Sequence, residues 1–191
     1  FHGDVPYSAL LEAFKHLLRQ VLSGDSAQLE QWGGRLREAL GENASVVADV
    51  LPELTLIIGP SSPAPELTST AAQERFNAVF SDLLKTFASP QHPLIMFLDD
   101  LQWADFASLA LIRHFVRNGR GTSMMLVGAY RDNEVGPSHP MMMILEDLRA
   151  TTRTLIAEIA LKPLGVEHVT QLIEDTCRGI PEASELAHLV V

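Results

Sequence analysis

A single cysteine, Cys177, stands in the chain, so no disulfide can form within it and the fold must rest on an apolar core. Cys177 falls at helical spacing with Val169 and Ile173, which predicts a small buried hydrophobe. Basic residues are scarce. Fourteen Lys and Arg face 24 Asp and Glu, a net charge of −10. Such a field repels phosphate backbones, and no grip on nucleic acid is expected. Long hydrophobic runs are missing too, the longest being strand-sized and far short of the roughly 20 residues of a membrane span. The start, Phe1-His2-Gly3-Asp4, has neither the basic residues nor the apolar stretch of a signal peptide. It also lacks an initiator Met, which suggests excision from a longer protein. A cytoplasmic location is expected. The seven histidines show no His-Glu-x-x-His or Cys/His ligand spacing, which speaks against zinc. No Gly-x-Ser-x-Gly elbow supports a serine hydrolase.

What is present is ordinary for a globular protein. The 191 residues, 47% hydrophobic and 20% charged, suit one domain, or one domain with a helical appendage. A chain of this size buries roughly 70% of the surface its unfolded form exposes, enough for a core without disulfides.

The first half reads as helices. Asp4 and Pro6 form a start signal, and Leu10, Leu11, Phe14, Leu17, Leu18, Val21 and Leu22 trace one face until Ser23-Gly24. A second helical pattern runs from Asp25 to Leu40. The pair Gly33-Gly34 costs it about 1 kcal/mol per residue relative to Ala, and a bend is expected there. A short helix from about Asn43 to Leu51 precedes a Pro/Ser loop, Gly59 to Pro65, that no helix can cross. From about Ser69 to Ala88 the residues Phe76, Val79, Phe80, Leu83, Leu84 and Phe87 build an apolar stripe. Beyond Pro93 strands and helices alternate. Leu94–Leu98 is a short unbroken apolar run, the mark of a strand buried on both faces. A helix from Asp105 to Asn118 leads to a second strand, Ser123 to Tyr130. A helix from His139 to about Ala150, a third strand from Thr154 to Leu161, and helices from Gly165 and from Pro181 complete the chain. The alternation predicts an α/β fold with right-handed crossovers and a mainly parallel sheet.

The strand ending in Asp99-Asp100 is where chemistry is expected. Ligands of open parallel sheets bind beyond the carboxyl ends of the strands. Two carboxylates there repel each other unless a cation arrives, and Mg2+ with a nucleotide phosphate would supply it. The bland alternative is that two acids simply begin a turn. Arg131, just past the second strand, is always charged and can grip phosphate oxygens with two donors. Alone it reads first as a surface ion pair with Asp132 or Glu134. Asp105 is most simply a helix N-cap and Trp103 a packing residue. Arg75 reads as a solvated or paired surface residue, and Met124, Met125 and Met141 to Met143 as adaptable core filling.

The stretch Phe97-Leu98-Asp99-Asp100-Leu101-Gln102-Trp103-Ala104-Asp105 strongly resembles the Walker B segment of AAA-like and STAND-type signalling ATPases. The run Leu126-Val127-Gly128-Ala129-Tyr130-Arg131-Asp132 resembles their sensor 1 strand. Leu155 to Leu161 with Lys162-Pro163-Leu164 is similar to their last core strand and lid entry, and Asp4 to Leu10 to the segment after their second strand. The nearest likeness is to the ATPase module of large bacterial sensors that join a Ser/Thr-kinase-like region to a histidine kinase. The resemblance implies an incomplete P-loop NTPase-type parallel sheet with flanking helices. It divides residues 1–191, taken as one domain fragment, into a helical N-terminal insertion (1–66), a core with both strands (67–164) and the start of a helical lid (165–191). It implies that Asp99 holds Mg2+ through water, that Asp100 orients or deprotonates the attacking water, and that Arg131 reaches the γ-phosphate of ATP.

One departure stands out. No Gly-x-x-x-x-Gly-Lys-Ser/Thr occurs in the 191 residues, so they contain no Walker A loop of backbone N–H groups and lysine to cradle phosphates. By the same resemblance the chain stops at Val190-Val191, before the Gly-Asn-Pro stretch expected in the lid, so both ends read as cut. The parent is expected to be an ATP-dependent switch in a bacterial two-component signalling protein. Any kinase activity would lie in its other domains, and the segment by itself would be inactive. The alternatives are a non-catalytic scaffold domain with a degenerate nucleotide site, and the ATPase module of a transcription regulator. The implied sheet order sets the missing strand between those ending near Tyr130 and near Leu161. Those two are then expected to pair directly, or to accept a strand from another copy, rather than leave apolar edges wet.

Overall fold

A computed structural model describes residues 6–119, 121–176 and 183–190. Asp4 and Cys177 lie outside these. Two compact units divide the chain, residues 1–154 and 155–191.

Unit 1 begins with four helices: α1 (Ser8–Leu22), α2 (Ser26–Leu40), and the short α3 (Ala44–Ala48) and α4 (Thr55–Ile58). Asp25 caps α2, its carboxylate accepting from Gln28 N at 2.8 Å. Gly33 and Gly34 lie inside one continuous helix. Gly33 allows close approach: a Cβ there would stand 2.8 Å from the backbone oxygen of Ile57. Arg37 fixes the same contact by donating to Ile58 O at 3.3 Å. Residues 59–68 then run without helix or strand. Arg75 straps this stretch down through Nη1 to Pro65 O at 2.6 Å.

Next come α5 (Ser69–Phe87), β1 (Leu94–Leu98), α6 (Phe106–Asn118), β2 (Met124–Gly128) and α7 (Pro140–Thr151). Phe14 of α1 sits at the centre of the core, edge-on to Phe80 of α5 at 5.2 Å and to Phe115 of α6 at 6.4 Å. Around it Leu10, Leu18, Leu36, Leu54, Leu83 and Leu109 are buried. β1 and β2 run parallel, Leu94 opposite Met124 through Leu98 opposite Gly128, with α6 as the crossover.

Two expectations about the sheet fail. The strands are buried on one face only. Met96 and Leu98 point into the core, whereas Ile95, Phe97 and Met125 are 67%, 60% and 60% exposed, because no described element of unit 1 covers the second face. Residues 154–161 form no strand, so their ladder with β2 does not form either. A strand is held by its ladder, and none reaches this run. Leu155, Ile159 and Leu161 stand 91%, 83% and 90% exposed. Among the described residues the architecture is thus α/β with a two-stranded parallel sheet. The methionines are mixed as well: Met141 is buried, Met143 and Met125 are exposed.

Unit 2 contains α8 (Val166–Thr176) and α9 (Ala183–Val190), with Val169 and Ala187 buried. No described helix is long and apolar enough to cross a membrane.

Candidate functional site

The parallel ladder carries two chain ends to one place. Past the last rung, Ala129 N donates to Leu98 O at 2.9 Å and Leu101 N donates to Ala129 O at 2.9 Å. These bonds hold the turn after β1 against the exit of β2. Gly128 permits the approach, since a Cβ on it would lie 2.5 Å from Leu101 Cδ1. Between them the chain turns sharply at Asp100, which adopts a left-handed conformation (φ 51°, ψ 41°). Asp tolerates this region better than most residues, and such backbone gathers at functional sites. Asp99 Oδ1 steadies the turn by accepting from Asp100 N at 2.9 Å.

Asp100 and Arg131 are thereby brought together, with Asp99 next to Asp100 in the turn. Arg131 Nε lies 3.8 Å from Asp100 Oδ1, and its Nη1 lies 3.5 Å from Glu134 Oε1. Both pairs face solvent, where an ion pair contributes about 0–1 kcal/mol. The guanidinium also lies 6.0 Å from the centroid of the Trp103 ring, at the outer limit of a cation–π contact. The packing role expected of Trp103 is not found: its side chain is exposed, beside Arg131. Asp105 is an N-cap, accepting from Ser108 N at 2.9 Å and from Ser108 Oγ. It does more than cap: Tyr7 N, at the start of α1, donates to Asp105 Oδ2 at 3.1 Å.

Two residues of this cluster escape a reading of the sequence. Gln102 is 6% exposed, and its amide joins Asp100 to Arg131. His139 sets one ring nitrogen against Gln102 O at 3.1 Å and the other against Met141 N at 3.2 Å. Gln102 lies between apolar Leu101 and Trp103, and nothing in that pattern says that the amide, not the indole, goes inside. His139 stands next to Pro140 and reads only as a helix start.

Among the described residues no group of three or more His, Cys, Asp or Glu is placed to hold a metal ion. A metal at Asp99 would therefore complete its shell with water or ligand oxygens. An open depression of about 600 Å³, lined by Arg35, Glu38, Thr86, Ser89, Gln91 and His92, shares no residue with the cluster.

The family model of the AAA ATPase domain matches residues 1–127, a span that includes Asp99 and Asp100 and stops before Arg131. A hybrid signal transduction histidine kinase, histidine kinase G of Dictyostelium discoideum, is 43% identical over 108 residues, 56% of this chain. The aligned part is 3% of that relative's length. No solved structure matches the chain.

Proposed function

The chain belongs to the family of AAA ATPase domains, and on that premise we propose that it forms the metal-binding and γ-phosphate-facing side of an ATP-dependent switch in a signal-transduction protein. The observation that carries this reading is the meeting of Asp100, with Asp99 beside it, and Arg131 beyond the carboxyl ends of two parallel strands. Two carboxylates and one guanidinium complement a metal-bound triphosphate. The donor set fits Mg2+, which takes one or two carboxylates and fills its octahedron with water and phosphate oxygens. Asp99 would hold Mg2+ through water. Asp100 would orient or deprotonate the attacking water, and Arg131 would reach the γ-phosphate. Mg2+, when bound, supplies the positive charge that lets two carboxylates and a polyphosphate share the site. Arg131 has to leave Asp100 and Glu134 to do so. Both contacts are exposed and weak, so the exchange costs little.

The related histidine kinase, a signal transduction protein by name, supports a sensor-kinase parent; that the switch is of the STAND type is part of the proposal. Hydrolysis there would reset a conformation, and output would come from other domains of the same protein. The test is Asp100→Asn in the full-length natural protein. Turnover should fall by roughly 10²–10⁴-fold, the range for loss of a general base, while Mg2+·ATP still binds. Unchanged turnover would return Asp100 to the role of a turn residue.

Within these 191 residues no Gly-x-x-x-x-Gly-Lys-Ser/Thr occurs, so the 191-residue chain alone should hold Mg2+·ATP weakly or not at all, since that loop supplies most of the grip on phosphates. Calorimetric titration of the chain checks this, and micromolar affinity would contradict it.

A further inference from the structure

We infer that Gln102 is a positioning residue for the Asp100–Arg131 pair, setting where the carboxylate and the arginine stand relative to each other. The significance of the pair rests on the function proposed above; the placement does not. Gln102 is one of three polar residues among the described ones that are almost wholly buried, and its amide is used at both ends. Its Nε2 donates to Asp100 Oδ1 at 2.9 Å, and its Oε1 accepts from Arg131 N at 3.3 Å. A carboxylate can only accept and a backbone N–H can only donate, so the amide fits in one orientation alone. Rotated by 180°, it would set oxygen against oxygen and donor against donor.

The backbone of Gln102 is held as firmly. Met141 N can only donate, so the Nδ1 of His139 accepts and its Nε2 carries the hydrogen given to Gln102 O. One neutral tautomer satisfies both contacts. The turn after β1, the exit of β2 and the first turn of α7 therefore meet at a single residue. The Arg131 side chain is exposed and the Asp100 carboxylate half-exposed, and the ion pairs of Arg131 with Asp100 and Glu134 are weak, which leaves the side chains free to swing. The buried amide removes that freedom from the backbone of one and the carboxylate of the other.

The chemistry names its own test. Gln102→Leu deletes both bonds. Gln102→Glu keeps an acceptor for Arg131 N but turns an acceptor and a like charge toward Asp100. Adding Asp100→Asn to Gln102→Glu restores the bond with its polarity reversed: the amide introduced at position 100 donates to the carboxylate introduced at position 102. The experiment is amide hydrogen exchange by NMR on the 15N-labelled 191-residue chain, comparing Arg131 N–H with Ala129 N–H, which is bonded to Leu98 O just past the ladder. Gln102→Leu and Gln102→Glu should each speed exchange at Arg131 by about tenfold, with Ala129 little changed, and the double variant should regain protection. A merely structural defect would speed both amides together. Arg131 exchange unaffected by either single variant, or a double variant no better protected than Gln102→Glu, would overturn the assignment. If Gln102→Leu does not fold, Gln102→Glu and its combination with Asp100→Asn decide alone. No nucleotide enters the measurement, so unchanged turnover in Asp100→Asn would sink the proposed function and leave this placement standing.

Discussion

Gly128 ends the ladder at the point where the turn after β1 crosses over it. An added Cβ would meet Leu101 Cδ1 at 2.5 Å, and Leu101 is itself buried. Either Leu101 leaves its place or the exit of β2 shifts. Gly128→Ala should therefore destabilise the chain by about 1–3 kcal/mol, the usual result of overpacking, as read from urea unfolding. An unchanged midpoint would mean that Leu101 has room to rotate. His114, on α6, gives a pH-dependent prediction. Burial first, and the nearby Lys85 charge second, hold its pKa below the ordinary value. Its neutral ring can accept from Asn118 Nδ2 at 3.3 Å, a bond that protonation of Nδ1 would abolish. The unfolded chain takes up a proton near pH 6.5, whereas the folded chain resists until lower pH. This site's contribution is thus complete above about pH 6.5 and is lost as pH falls through the folded pKa. His114→Gln should flatten that part of the acid decline in thermal midpoint. Parallel declines in wild type and variant would show that another group is responsible.

At the scale of elements, α2 holds two adjacent glycines with opposite environments. Gly33 is buried, with Ile57 O where its Cβ would go; Gly34 has open space around it. Gly34→Ala should stabilise by about 0.5–1 kcal/mol through helix propensity alone. Gly33→Ala should destabilise, because α4 backbone has to move. Thermal melts of the two variants shifting in the same direction would contradict the contact. The pair also shows what is legible in the sequence. That two glycines lie inside a helix can be read from the periodicity around them. That one of them faces another backbone cannot, because its partner, Ile57, lies on a different helix far along the chain. The same division holds elsewhere. The stripes of α1, α5 and α6 are local patterns, and so is the apolar run that becomes β1. The run from Thr154 to Leu161 is also mostly apolar and strand-sized, yet it forms none, since a strand is made by its neighbour and not by its own residues. Asp99, Asp100 and Arg131 are visible as residues flanking strand ends. The Gln102 amide between them is not, because its partner Arg131 N lies beyond the next strand, far along the chain.

At the scale of the whole molecule, an exposed apolar sheet face competes with a large net charge. Ile95, Phe97 and Met125 lie together on the uncovered side of β1 and β2, and β2 has no strand partner on its second edge among the described residues. An open edge beside exposed apolar side chains is a template for association. Against it acts the charge of −10, which pushes copies of the chain apart. The two forces respond differently to salt. Repulsion reaches about 10 Å at 0.1 M ionic strength and only about 3 Å at 1 M, whereas burial of apolar surface is not weakened by added salt. The chain should therefore stay monomeric in dilute salt and gain mass in sedimentation as NaCl is raised. Ile95→Thr with Phe97→Thr keeps strand-compatible residues while removing most of the apolar contact, and it should abolish the gain. The sign of the salt effect separates this account from its rival. If copies were joined by opposite charges, mass would fall as salt rises. A monomer at every salt concentration would show that the uncovered face does not drive association.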